Sequence, residues 1–115
     1  MSTVSPSMVT GVYTMNNYQT EIRKFQKKAL HDTQVIHCLL GVGSESGEIL
    51  DAVKKPWFSP RTDVPHEIDV DHLAEEIGDL LFYMTWLADL FNIDMDDVMQ
   101  TNINKLAIRH AIKQE

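Results

Sequence analysis

The chain has little with which to do thiol or transition-metal chemistry. Cys38 is its one cysteine in 115 residues, so no intrachain disulfide can form and a reducing compartment is expected. One thiol and five scattered histidines leave no zinc-ligand spacing. There is no Walker-type phosphate loop and no Gly-x-Ser-x-Gly elbow. The Glu-x-x-His pairs of di-iron helical bundles are absent too. Positive charge is scarce: ten Lys and Arg stand against seventeen Asp and Glu, a formal charge of −7. That deficit argues against a nucleic-acid-binding surface, which needs a basic patch. No apolar run approaches the roughly 18 residues that a membrane span requires. The N-terminus also lacks the basic-then-apolar order of a signal peptide. These absences leave a cytoplasmic protein of one domain, with neither nucleic acid nor membrane as partner.

What is present is helical periodicity. Residues 1–15 show none, are rich in Ser, Thr and Val, and read as a flexible lead-in to a domain over 16–115. A first helix is expected from Asn16 or Asn17 to Leu30, with Asn16 and Gln19 as a capping box and Tyr18, Ile22, Phe25 and Ala29 as its apolar stripe. Asp32 or Thr33 caps a second helix that stops at Lys55, before Pro56. Its first half buries Val35, Ile36, Leu39, Leu40 and Val42. Its glycines 41, 43 and 47 point to close approach of another helix or a ligand, since each costs about 1 kcal/mol against alanine. Residues 55–70 form a long loop holding Pro56, Pro60 and Pro65, with Trp57 and Phe58 either plugging the core or facing a planar ligand. A third helix runs from Asp69 or Asp71 to Phe91, capped by Asn92, burying Leu73, Ile77, Leu80, Leu81, Met84, Leu87, Ala88 and Phe91. The fourth begins with Asp94, Asp96 and Asp97, acids that favour a helix N-terminus. It turns Val98, Ile103, Leu106, Ala107 and Ile112 inward.

Two acidic pairs stand out against this background. Glu45-Ser46-Gly47-Glu48 lies on the second helix and Glu76-Ile77-Gly78-Asp79 on the third. Residues three apart share a helix face, so each pair sets two carboxylates side by side. If the helices pack together, four like charges converge, and their repulsion is relieved by a hard divalent cation that prefers oxygen ligands. One such pair alone is common on a solvated face. Both readings, metal site and solvated acids, stay open on the pattern alone. Asn102, Lys105 and Arg109 fall on one line of the fourth helix, either solvated or facing phosphate. Trp86 and Leu90 stand away from the third helix's main stripe, which predicts a homo-oligomer.

Taken together, these motifs resemble the MazG-like superfamily of all-α nucleoside triphosphate pyrophosphatases, in its small single-domain form, phage-encoded members included. The likeness rests on Glu45-x-x-Glu48, 27 intervening residues and Glu76-x-x-Asp79, with Asn17-Tyr18-Gln19, Gly47 to Lys55, Glu75 to Tyr83 and Asn102 to Arg109. It covers about residues 16–110. It implies a four-helix bundle, with the proline-containing loop between its second and third helices, that assembles as a homodimer or homotetramer. It also implies hydrolysis of a (deoxy)nucleoside triphosphate to the monophosphate and pyrophosphate, with Mg2+ that Mn2+ can replace. Glu45, Glu48, Glu76 and Asp79 match the catalytic metal ligands. Lys54, Asn102, Lys105 and Arg109 match phosphate-binding positions, and Tyr83 a position facing sugar or base. The run Gly41-Val42-Gly43-Ser44 is richer in glycine than in many relatives. The alternatives are a phosphoribosyl-ATP pyrophosphohydrolase-like enzyme and a non-catalytic helical interaction module.

Overall fold

Two long helices carry the molecule. A computed structural model describes residues 12–57 and 67–114. Among them are four α-helices: α1 Met15–Glu21, α2 His31–Trp57, α3 Val70–Leu90 and α4 Met95–Gln114. A 3-10 turn, Ile22–Phe25, follows α1, and there is no strand among the described residues. The fold is all-α. Of the lead-in expected over 1–15, residues 1–11 lie outside the described residues and Met15 already opens α1; most of the proline loop, with Phe58, Pro60 and Pro65, lies outside them too.

The first helix is much shorter than its period predicts. Its capping box is Thr14 with Asn17, not Asn16 with Gln19: the Thr14 N–H donates to Asn17 Oδ1 at 2.6 Å, and the Asn17 N–H to Thr14 Oγ1 at 3.3 Å. Gln19 is buried instead. The helix tightens at Ile22 and the chain is extended by Gln26. The tighter turn, three residues per repeat, brings Arg23 and Gln26 onto the same target, Asp89 of α3.

α2 starts one residue before its expected cap and runs through Pro56. A proline in the final turn removes a single backbone bond, which a helix this long tolerates. Asp69 caps α3 by accepting from the His72 N–H at 3.1 Å. At the other end Asn92 takes a positive φ of 55°. The Ile93 N–H donates to Ala88 O and the Asn92 N–H to Asp89 O. That paired closure is a Schellman motif, in which asparagine tolerates the left-handed residue.

α2 and α3 pack as an antiparallel hairpin, their contact dwarfing every other among the described elements. The core sits between them and α1, around Ile22, Cys38 and Trp86, with Tyr18, Phe82, Tyr83, Leu87 and Leu90 against it. Of the face expected to be buried on α3, Leu87 and Ala88 do meet the core, but the centre of burial lies elsewhere. Trp86 is only 1% exposed, whereas Ile77, Met84 and Phe91 are open. Indole carries more apolar surface than any aliphatic side chain on the other face, and its N–H reaches Gln34 Oε1 at 3.0 Å. α4 departs further from expectation: Val98, Ile103, Leu106 and Ile112 are all exposed, and the helix rests chiefly on α1. The Cα radius of gyration is 17.9 Å, against about 13 Å for a compact domain of this length.

Candidate functional site

The hairpin has one inner seam, and its composition changes along it. On α2, positions 34, 38, 41, 45, 48 and 52 recur at alternating spacings of four and three. On α3, positions 72, 76, 79, 83, 86 and 90 do the same. Such spacing keeps one line of each helix facing its neighbour. Gln34 meets Trp86 and Gly41 meets Tyr83, which sets the register. A Cβ built at Gly41 would fall inside the Tyr83 ring, so this glycine serves close approach. Gly43, Gly47 and Gly78 face open space. The close approach expected of the glycines is therefore real at one position.

One turn further along, the seam becomes acidic. One oxygen each from Glu45, Glu76 and Asp79 lie within 4.8 Å of one another. Glu76 is the most enclosed, its side chain 12% exposed and 3.5 Å from His72 Nε2. The Glu45 carboxyl is held above its ordinary range, first by withdrawal from water, then by donating a hydrogen bond to Glu76. The charges of Asp79, Glu76 and Glu48 push the same way. Three carboxylates on two packed helices make an all-oxygen donor set with unbalanced negative charge. That set fits a hard divalent cation such as magnesium better than a softer metal.

Glu48 stands just outside this trio. It is exposed and lines a cleft of about 190 Å³ where α2 ends and α3 begins, with Asp51, Lys55, Glu67, Asp69 and His72. Asp51 borders the same cleft and lies 4.0 Å from Lys55. The remaining residues singled out in the sequence are not gathered there. Nine residues beyond Glu45, Lys54 is turned about 180° from it at 3.6 residues per turn. Tyr83 lies in the seam but packs on Gly41 and beside Trp86 and Phe82. Asn102, Lys105 and Arg109 are exposed on α4. Tyr18, assigned by its period to an apolar stripe, is also a neighbour of the acids. Burial raises its phenol above the ordinary range, and the charge of Asp79 adds to that. The seam spacing that contains Glu76 and Asp79 also contains His72, a signal carried by the sequence itself.

Comparison with known proteins fits this geometry. The family model described as MazG nucleotide pyrophosphohydrolase domain matches residues 34–112, more than half of the chain and all four acids. A "Gene 37 protein" of Mycobacterium phage L5 is 34% identical over 70 residues. That alignment covers 61% of this chain and 60% of the phage protein, so the chain spans less than two thirds of that relative. No solved structure matches.

Proposed function

Because the chain belongs to the MazG nucleotide pyrophosphohydrolase domain family, we propose that it hydrolyses a (deoxy)nucleoside triphosphate at the α-phosphorus, giving the monophosphate and pyrophosphate. One observation carries this reading: Glu45 from α2 converges with Glu76 and Asp79 from α3. Hydrolysis of a polyanion at that place needs cations, and the trio with Glu48 would hold them. Bound there, magnesium or manganese supplies charge neutralisation and a water of lowered pKa. Glu45 is our candidate to take the proton of the attacking water, since it alone of the trio approaches from α2. The cleft beside Glu48 is acidic, with Asp51, Glu67 and Asp69 against the cation Lys55, so a triphosphate chain would enter it only with divalent cations already bound.

Tyr83 enters this reading as a support of the seam through its packing on Gly41, and meets sugar or base only with its edge. Lys105 and Arg109 act on phosphate only where an assembly brings an α4 over the carboxylates. The open apolar residues of α3 and α4 support such a homo-oligomer, a dimer or a dimer of dimers. Lys54 has no part in the site within one subunit.

The test is magnesium-dependent release of pyrophosphate across a panel of ribo- and deoxynucleoside triphosphates and phosphoribosyl-ATP. Turnover of one or more of the nucleoside triphosphates is expected, and Glu48→Gln and Asp79→Asn each reduce it by orders of magnitude. Turnover of phosphoribosyl-ATP alone gives the related enzyme of that substrate. No release from any member leaves a helical interaction module. Both variants retaining more than about a tenth of wild-type activity would remove the four-carboxylate site.

A further inference from the structure

Positive charge is scarce in this chain, and much of it is gathered at one corner. Four of the ten Lys and Arg, at 23, 24, 27 and 28, fall between the end of α1 and the start of α2. Their surroundings differ. Lys24 pairs with Glu21 of α1. Arg23 is held by Asp89 of α3. Lys27 and Lys28 are exposed and form no ion pair among the described residues.

Both of these lysines open onto one pocket of about 310 Å³, completed by Arg23, Gln26, Ala29 and Gln34. No described carboxylate lines it, although the chain carries seventeen. Its walls are held by bonds within the chain. Gln26 donates to Asp89 Oδ2 at 3.2 Å, and the chain leaves the 3-10 turn extended at that residue. Gln34 donates to Ala29 O at 2.8 Å and accepts from the Trp86 indole at 3.0 Å. Asp89 is matched by the Arg23 guanidinium. Asp32, in the first turn of α2, is fully exposed and no part of the lining. Two ammonium groups are thus left uncompensated beside a preformed polar wall. An ammonium is a compact charge with three donors, suited to phosphate oxygens.

This corner is remote from the carboxylates. Gln34 and Glu45 lie on one line of α2, about 16 Å apart along the helix. An apolar groove of about 280 Å³ adjoins the pocket, sharing Lys27, Ala29 and Gln34 with it and reaching Ile36, His37 and Leu40. A phosphate chain on the lysines could therefore carry a nucleoside in that groove.

We propose that the corner between the 3-10 turn and α2 is a second anion site, taking the phosphate chain of free pyrophosphate or of a nucleotide directly on Lys27 and Lys28, with no divalent cation. It is independent of the hydrolytic reading. Without metal the carboxylate trio repels a polyanion, so binding in EDTA reports this corner whatever the activity of the trio.

Isothermal titration of the full chain with inorganic pyrophosphate, in EDTA at low ionic strength, tests the site. One-to-one binding is expected, about tenfold weaker in Lys27→Gln/Lys28→Gln, which lacks two exposed charged contacts. Lys24→Gln/Lys54→Gln removes the same charge outside the pocket and should bind as the wild type does. All four lysines are exposed, so circular dichroism should show wild-type helix content in both variants. No binding by the wild type, or a pocket variant that binds no worse than the charge-matched one, overturns the site; the second result is a diffuse response to net charge. A nucleoside diphosphate, with the same two phosphates, separates the sources. Affinity above that of pyrophosphate assigns a nucleotide with its nucleoside in the groove, and equal or weaker binding assigns free pyrophosphate.

Discussion

Two carboxyls in this chain are pushed in opposite directions, and stability should track each with its own sign. Burial alone would raise Asp89, but hydrogen bonds from Arg23, Gln26 and Gln19 outweigh it and hold the carboxyl below its ordinary 3.8. Arg23 grips it through Nε and Nη2, the shortest contact being 2.9 Å. A depressed acid contributes stability that is complete above its unfolded pKa and is lost as pH falls through the folded one. Asp89→Asn should therefore flatten the acid limb of a melting-temperature profile below about pH 4. At pH 7, Asp89→Ala should cost about 2–3 kcal/mol by denaturant titration, since charged hydrogen bonds are lost and Gln19 is left short of a partner. Glu45 is the reverse case, raised above its ordinary 4.5. Its contribution is complete below that value and is lost as pH rises through the raised one. Melts in EDTA should thus fall with rising pH above about 4.5, and Glu45→Gln should remove that slope. Excess magnesium should remove it too, and should raise the melting temperature with concentration, because it binds only the folded state. Melts in EDTA and magnesium that superimpose would count against the metal centre.

Among elements, the α2–α3 hairpin depends on one missing side chain. Gly41→Ala gains about 1 kcal/mol of helix propensity, but the added methyl falls in the Tyr83 ring, and overpacking costs about 1–3 kcal/mol. A net loss of stability is expected. Gly78→Ala, with open space around it, is the matched control and should stabilise. Equal gains in both would mean that the two helices do not approach closely at Gly41. The corner between α3 and α4 is fixed differently. Gln19 donates to Ile93 O at 2.8 Å, and the Met95 N–H donates to Gln19 Oε1 at 2.8 Å. This buried amide ties α1 to the start of α4, which is otherwise held by little. Gln19→Leu removes both bonds and strands two backbone groups. Faster hydrogen exchange confined to residues 93–98 is the expected signature, and an unchanged exchange pattern would refute the tie.

For the whole molecule, the decisive fact is how much apolar surface one chain leaves open. Lys105 connects that surface to catalysis. If an assembly sets α4 over the carboxylates, Lys105→Ala should raise KM and lower kcat, because charge on departing pyrophosphate grows in the transition state. Its magnesium-dependent stabilisation should stay as in wild type, since an ammonium is no metal ligand. Unchanged kcat/KM would place α4 away from substrate in every state. The sequence by itself determined the all-α class, the α3 cap at Asp69, the turn at Asn92 and the pairing of the acids, because periodicity and capping are local properties of neighbouring residues. The seam is written there too, in the four-three spacing through Glu76, Asp79 and Trp86, but the aliphatic residues of α3 make a second stripe that competes with it. Only the tertiary structure decided that α1 stops at Glu21, since what ends it is Asp89, more than sixty residues away in the chain. Only the tertiary structure, likewise, decided which glycine is crowded and that α4 stands off the hairpin. Apolar periodicity marks the face a helix must bury; it does not record whether the burial is against its own chain or another, because the gain from removing surface from water is the same in both.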